Sequence, residues 1–545
     1  MSNHAYLPGH LRLILSITLV HIIAWFAYYS QIPAGQYPGE TTRATLDAAQ
    51  LLANGGNSIT TSHSLYTYLL SILARIFTGS ENLTTAARVL NACALMLSAG
   101  FTASAAGHYW RRNRTVWLAG LLIGLNPLLV FWAGELTPTL LTTACISFAL
   151  WRITFWLRRP HPLNSFSIAF SLTLATAFET SLYPFIILWP LLACSYPQRN
   201  KIPHLIAALV PALLMCSALI LFKLQLQSPI LWNFDHFTQG IYASLSSTDN
   251  YDEKSFGLYR QLHLILFLNP IHWGGLLALA GIGIHIRLRD GHRWHSVCLA
   301  IATLIIFAIS CTLNQSGTQA RSSLIPLLAI LAAGITLFPK IWQHSSRQRR
   351  RKIVALGVLL CLFSYSGHWL ERHPKSWERD YSYLAEANIQ AGHNERAAIW
   401  AEKALELNPE RDDMQQLLVI AQFNDWATGS RQRTLPIEQT QNYLNAIQTI
   451  KGTSTTQTIS AIYQYKLHQV ESAQAVWQSL SDECALAKLC LYWTGTINSI
   501  TAADLNAYAG QRYHALLRSA ATVNRNALEY TNIEKQLDNM LGFAY

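Results

Sequence analysis

The chain has 545 residues, of which 51% are hydrophobic and only 13% charged, against about 25% charged residues in an average soluble domain. Long apolar runs dominate residues 1–370, whereas residues 371–545 have the composition of a soluble helical protein. The net charge of +11 comes largely from short arginine clusters between apolar runs, a pattern that argues against a nucleic-acid-binding protein. The sequence therefore predicts a transmembrane domain over 1–370 and an all-α domain outside the bilayer over 371–545.

The apolar runs predict about eleven membrane-spanning helices, since one crossing needs about 20 apolar residues. The run 11–29 has no small-residue cleavage site after it, which favours a signal anchor over a removed signal peptide. The run 166–194 is too long for one crossing and contains Pro184, so it is interpreted as a hairpin of two short helices with its tip near Glu179. The other predicted spans are 86–109, 115–133, 138–157, 204–222, 263–286, 295–313, 322–338 and 353–366.

Basic residues predict the orientation, because cytoplasmic loops of membrane proteins carry an excess of Lys and Arg. The clusters lie at 111–114, 158–159, 199–201, 287–293 and 340–352, and all fall on one side if the N-terminus is cytoplasmic. The prediction is a multi-pass protein of the inner (plasma) membrane whose C-terminal domain is periplasmic or extracellular.

The loop 31–85 is expected on the outer side, with a helix at 41–53, a turn at 55–57 and a short apolar helix at 65–77 that lies in the interface or packs on the bundle. In the C-terminal domain, residues 378–409 resemble one tetratricopeptide unit with Tyr381 in place of the hallmark Trp, and 461–480 form a weaker second unit. Such helix pairs predict a protein partner bound through 378–545. Cys484 and Cys490 would form a disulfide only with a turn between them.

Ionisable residues near the ends of apolar runs are the candidates for function, because charge at membrane depth is costly and is usually retained for a purpose. Glu40 and Arg43 lie in the segment YPGETTR after the first run, and Glu135 lies in FWAGELT at an outer turn. The remaining candidates are Arg88 in AARVLN, Glu179 at the hairpin tip and Arg321 before the run 322–338.

The order of these features resembles the GT-C superfamily of membrane glycosyltransferases over about residues 10–340. The resemblance depends on an acidic outer loop after a signal anchor, then LYTYLLSILARIFTGSENLTTAARVLNAC, a basic turn, and AGLLIGLNPLLVFWAGELTPTLL. It is closest to the bacterial branch related to protein O-mannosyltransferases and lipid A aminoarabinose transferases.

The resemblance implies a polyprenyl-phosphate sugar donor, contact with membrane lipid, and an active site at the outer membrane face. Glycosyl transfer to a hydroxyl needs a carboxylate to accept the proton, and the resemblance gives that role to Glu40. Substrate or donor contacts are expected from Glu135 and Glu179, and phosphate contacts from three cations, since guanidinium groups suit phosphate: Arg43, Arg88 and Arg321. No cofactor is certain, and a divalent metal is left open.

Two positions depart from the family, which usually has Asp-Glu where this chain has Gly39-Glu40 and often has Arg near the position of Glu179. The alternative interpretation is therefore a catalytically degenerate scaffold whose repeat domain recruits envelope assembly partners. A transporter is disfavoured because no matching pair of broken helices is found in two halves, and an oligosaccharide ligase or polymerase is disfavoured by the acidic loop. Glu40 and Glu135 could also be helix-start acids, and Arg321 an interfacial anchor.

Overall fold

The computed structural model describes residues 40–54, 65–77, 80–179, 182, 189–190, 202–221, 256–262, 266, 273–288, 321–343, 346–369, 377–390, 393–428 and 453–497. These residues form helices and connecting turns without any β-strand, which confirms the all-α prediction. They divide into two compact units, with the break between Pro374 and Lys375. The predicted spans 11–29 and 295–313 and the turn 55–57 lie outside the described residues.

The first unit contains thirteen described α-helices. Their bounds are α1 Glu40–Ala53, α2 Leu65–Ile76, α3 Ser80–Trp110, α4 Asn113–Gly124, α5 Pro127–Gly134, α6 Thr139–Trp156, α7 Pro162–Phe178, α8 Ile202–Leu221, α9 Phe256–Leu262, α10 Trp273–Leu288, α11 Ile325–Ala332, α12 Phe338–Gln343 and α13 Arg347–Trp369. A 3₁₀ segment, Ala333–Leu337, joins α11 to α12. The helices predicted at 41–53 and 65–77 are thereby confirmed as α1 and α2.

The long helix α3 packs against α4 and α6 at the centre of this unit. It buries a stripe of small and polar residues at the three- and four-residue spacing of one helix face: Ala87, Asn91, Ala94, Ser98, Thr102 and Ala105. Small residues let helix backbones approach closely in apolar surroundings. The Thr102 hydroxyl contacts the Ser147 hydroxyl of α6 at 3.3 Å, so polar groups bond directly across this close interface.

Two helices of the described part are long and apolar enough to cross a membrane, namely Asn82–Trp110 within α3 and Thr139–Trp156. The predicted span 115–133 is present as the pair α4 and α5, bent by 47°. Asn126 and Pro127 explain this bend, because the Asn126 side chain caps α5 and Pro127 occupies its first turn. The regions predicted as spans 204–222, 263–286 and 322–338 contain shorter apolar helices.

Close contacts fix α10 and α11 against each other and against one end of α3, which we call the Trp110 end. Trp110 Nε1 donates to the Ile330 carbonyl at 2.6 Å, and Arg287 Nη2 donates to the Tyr109 carbonyl at 2.7 Å. A Cβ placed on Gly283 would lie 2.0 Å from the Leu331 carbonyl oxygen. These contacts leave little freedom for α10 to slide along α11.

The second unit contains helix groups that share one continuous apolar core. Its helices are α14 Trp377–Gln390, α15 Asn394–Leu407, α16 Asp412–Thr428, α17 Ser454–Lys466, α18 Val470–Leu480 and α19 Ala485–Trp493. Alanines at 385, 397, 401 and 404 are fully buried and allow α14 and α15 to pack closely. Cys484 and Cys490 are buried free thiols without a disulfide, and burial raises the pKa of Cys490 well above its usual range.

Candidate functional site

The turn that follows α5 is held from one side by the beginning of α3. Arg88 Nε donates to the Gly134 carbonyl at 3.1 Å, and Asn91 Nδ2 donates to the Glu135 carbonyl at 2.7 Å. Arg88 and Asn91 are three residues apart and therefore share one face of α3. We call Arg88, Asn91, Gly134 and Glu135 the carboxylate turn, since the two bonds fix the backbone that carries Glu135.

Glu135 is almost completely buried, with 6% of its surface exposed, and Asn91 is fully buried. Glu135 adopts an extended backbone after α5, and its N–H donates to the Trp132 carbonyl at 3.2 Å. A carboxylate in such apolar surroundings is costly unless it is paired or hydrogen-bonded. The position therefore belongs to the class of buried charges that proteins usually keep for a purpose.

Several elements converge beside the carboxylate turn in one small apolar cluster. Its buried members are Ala49, Tyr66, Leu70, Ala87 and Leu136, and Phe178 is among the residues packed against it. Three predicted site residues are chain neighbours of this cluster: Arg88 follows Ala87, Glu135 precedes Leu136 and Glu179 follows Phe178. The structure therefore brings their backbones together. Glu179 ends α7, and its Oε2 atom is buried.

Glu40 and Arg43 lie in the first turn of α1, whose later residues Leu46 and Ala49 reach the same cluster. Their side chains lie outside the described part of the chain. Nine residues separate Glu40 from Ala49, which corresponds to about 13 Å along a helix. The backbone of Glu40 therefore lies no more than about 2 nm from the cluster. It belongs to α1, which packs directly on α2.

Arg321 stands just before α11, in a part of the chain remote in sequence from the carboxylate turn. The same helix contacts α3 through Ile330, whose carbonyl accepts from Trp110 Nε1 at 2.6 Å. Arg88 lies 22 residues before Trp110, or about 33 Å along α3.

Arg321 is 3% exposed, and its Cζ atom lies 5.8 Å from the centre of the Trp273 ring. Ser322 and Ser323 follow it in the chain and are 0% and 4% exposed. The site residues of the sequence prediction thus lie on two parts of the unit, one around the carboxylate turn and one just before α11.

Several buried polar atoms of the first unit have no hydrogen-bond partner among the described residues. Trp132 Nε1 lies beside the carboxylate turn, and Trp273 Nε1, Ser322 Oγ and Ser323 Oγ lie at or near Arg321. Tyr66 Oη, by contrast, interacts with the Asn91 side chain. Others elsewhere in the unit are Tyr109 Oη, Trp151 Nε1, Arg152 Nε and Thr173 Oγ1. An unpaired buried polar atom costs about 1–3 kcal/mol, so polar ligands or ordered water are expected beside such atoms.

Asn91, Tyr66, Ser322 and Ser323 were not predicted as functional from the sequence. A signal existed for Asn91, because an amide inside an apolar run must find a partner. The serines gave no comparable signal, since a hydroxyl usually bonds to its own helix. Among the described residues, no three His, Cys, Asp or Glu side chains are grouped so that they could hold a metal ion.

No protein-family model matches the chain, and no curated protein matches it. The residues and their geometry therefore carry the functional argument.

Proposed function

We propose that the protein is a GT-C-like membrane glycosyltransferase, which moves a sugar from a polyprenyl-phosphate donor to an envelope glycan, lipid or protein. The observation that supports this most is the carboxylate turn, where buried Glu135 is held by α3 next to Arg88. A second carboxylate, Glu179, belongs to a helix whose last residue packs on the same cluster. Carboxylates and a cation at one end of an apolar helix unit suit a charged, sugar-bearing lipid.

The proposed reaction needs a base, a donor site and a leaving group. An acceptor hydroxyl oxygen forms a bond with the anomeric carbon while the bond from that carbon to the phosphate oxygen breaks. The polyprenyl phosphate leaves with the bonding electrons, and the hydroxyl proton passes to the Glu40 carboxylate. Glu135 and Glu179 bind sugar hydroxyls, and the candidates that balance the phosphate charge are Arg43, Arg88 and Arg321.

The proposal includes the predicted placement in the membrane. Eleven spans put the N-terminus in the cytoplasm and the second unit in the periplasm or outside the cell. The two long apolar helices and the bent pair support membrane insertion, and the basic clusters support the orientation. The carboxylate turn then lies at the outer face of the inner membrane, where a lipid-linked sugar presents its head group.

The second unit is proposed to bind a protein partner or a protein acceptor and not to perform chemistry. Its small-residue packing between α14 and α15 suits a tetratricopeptide-like arrangement. Among its described residues, Arg411 bonds to Glu378 and to Asp413 at the surface of the unit. Deletion of 378–545 is expected to spare transfer to a small acceptor and to impair transfer to the natural one.

A transfer assay with the purified full-length protein tests the function directly. Radiolabelled polyprenyl-phosphate sugars are incubated with envelope extract or short model acceptors, and the label is followed into product. Transfer from at least one donor is expected, and absence of transfer from every donor would contradict the enzyme proposal.

The alternative, a catalytically degenerate scaffold, is favoured by Gly39 in place of the family's acidic residue. It predicts no transfer, together with capture of envelope assembly proteins that depends on residues 378–545. A wild-type protein that transfers sugar would exclude it.

A further inference from the structure

The chain that enters α11 has the features of an anion-binding turn. We call residues 321–324 the phosphate turn. Leu324 occupies the N-cap position of α11, and no side chain caps this helix end. Pro326 in the first turn has no N–H group, so Ile325 and Leu327 carry the backbone donors of that turn. The first N–H groups of a helix lack intrahelical partners and carry a partial positive charge, so an uncapped N-terminus attracts anions.

The two hydroxyls of this turn are the second, independent observation. Ser322 Oγ and Ser323 Oγ are buried without a hydrogen-bond partner. Other buried serines of the same unit bond to their own helices: Ser98 Oγ donates to the Ala94 carbonyl at 2.8 Å, and Ser147 Oγ to the Thr143 carbonyl at 2.7 Å. Burial alone therefore does not explain why the 322 and 323 hydroxyls are unpaired.

Described side chains at the turn include donors and a positively charged group. The Arg321 guanidinium is 3% exposed and stacks near Trp273, whose indole Nε1 is buried and unpaired among the described residues. Indole N–H, guanidinium and backbone N–H groups can only donate, and serine hydroxyls can also donate. A compact group with several acceptor oxygens, such as a phosphoryl group, matches this set.

We propose that the phosphate turn binds a phosphoryl group, with Ser322 and Ser323 donating hydroxyl hydrogen bonds, the start of α11 donating N–H groups and Arg321 balancing the charge. The binding chemistry itself does not depend on sugar transfer. A lipid head group as the source of the phosphoryl group rests on the proposed function, whereas free phosphate is the other source with the same chemistry.

Binding to the full-length protein in lipid nanodiscs tests this without any transfer assay. The probes are inorganic phosphate, a prenyl phosphate and the matching uncharged prenyl alcohol, and binding is followed by titration calorimetry. The double variant S322A/S323A is compared with wild type, and S98A serves as the matched control, because it removes a buried serine hydroxyl that is already paired.

Prenyl phosphate is expected to bind and prenyl alcohol not to bind, and the double variant is expected to weaken binding by about tenfold or more, since hydrogen bonds to charged groups are each worth about that factor. The thermal stability of S322A/S323A should equal or exceed that of wild type, because no protein hydrogen bond is lost. S98A should keep phosphate binding and lose stability.

The outcomes separate the two proposals. Binding of inorganic phosphate that competes with prenyl phosphate supports the turn and shows that the phosphoryl group is the recognised part, and binding of prenyl phosphate alone supports a lipid source. No binding of either phosphate, or equal binding by wild type and S322A/S323A, overturns the inference. If the serine-dependent binding persists in a protein that transfers no sugar, the inference stands while the proposed function falls.

Discussion

The two units of this protein differ in how their polar groups are paired. In the second unit Arg411 bonds to Glu378 at 3.0 Å and also to Asp413, and Trp477 Nε1 donates to the Thr458 carbonyl at 3.3 Å. In the first unit, buried atoms without a partner among the described residues include Trp132 Nε1 and the two serine hydroxyls of the phosphate turn. Among described residues of the second unit, Asn394 Oδ1 and Gln464 Oε1 are the atoms of this kind.

This difference suggests which unit binds another molecule and which is stabilised by its own contacts. Polar groups that satisfy one another contribute to folding and need no further molecule. Unpaired buried groups reduce stability, and a protein keeps them where they contact something that is not part of the chain. The first unit is therefore where substitutions should change activity, and the second is where they should change stability.

The largest expected effect is on transfer by the first unit. Glu40→Gln keeps the size and hydrogen bonding of the side chain but removes the base, so the transfer rate should fall about 100- to 10,000-fold. Asp47→Asn, an exposed change on the same helix, is the control and should leave the rate unchanged. A Glu40→Gln enzyme within about threefold of wild type would show that Glu40 is a helix-start acid and not a base.

The matching substitution in the second unit is Trp477→Ala. Trp477 is fully buried and bonds to α17, so its removal should destabilise this unit by about 3–5 kcal/mol. Limited proteolysis of the full-length protein during heating measures this, with Leu407→Ala, which changes a residue 51% exposed, as the control. Phosphate binding by the first unit should be unaffected, and its loss would contradict the division of roles.

A smaller effect is expected from the support of the carboxylate turn. Asn91→Ala removes the donor to the Glu135 carbonyl, which leaves that buried carbonyl unpaired and allows the turn to shift. Transfer should fall about tenfold, mainly through the maximal rate. Asn113→Ala, at an exposed position of α4, is the comparison. Equal transfer rates for Asn91→Ala and Asn113→Ala would show that the hydrogen bond from Asn91 is not needed to hold the carboxylate turn.

The smallest expected effect is the pH dependence of the second unit. The hydrogen bond and charge of Arg411 lower the pKa of Asp413. A carboxyl whose folded pKa is depressed stabilises the fold above its unfolded pKa of about 3.9, and this contribution is lost as the pH falls through the folded pKa. Asp413→Asn should remove that acid-side slope. Because Asp413 is more than half exposed, the contribution should stay below about 1 kcal/mol, measurable by urea unfolding between pH 2 and pH 6.

Hydrophobic patterning predicted the local helices well. The helices α1, α2, α3 and α6 follow from composition, periodicity and flanking residues, which are properties of short segments. The break within 115–133 was also visible as the dipeptide Asn126-Pro127, but a continuous apolar run outweighed it. The residues of this predicted span are helical, and the structure adds a bend of 47° within them.

The sequence predicted candidate site residues only where those residues are charged. Glu135, Arg88 and Glu179 were identified because ionisable residues are conspicuous in apolar sequence, but no pattern could show that Arg88 contacts Gly134, 46 positions away. Ser322 and Ser323 of the phosphate turn escaped prediction for the same reason, although Arg321 was predicted as a phosphate contact. That a hydroxyl lacks a partner is a property of the folded neighbourhood and not of the residue type.

The contact between Gly283 and Leu331 has a mechanical consequence for the phosphate turn. Trp273 lies ten residues before Gly283, and Arg321 lies ten residues before Leu331, so the two helices advance in step from one pair to the other. Because the glycine lets the two helices approach closely at this point, it sets the distance between the Arg321 guanidinium and the Trp273 ring. A methyl group at position 283 would push the helices apart about 15 Å from the turn and tilt the anion site without altering any residue in it.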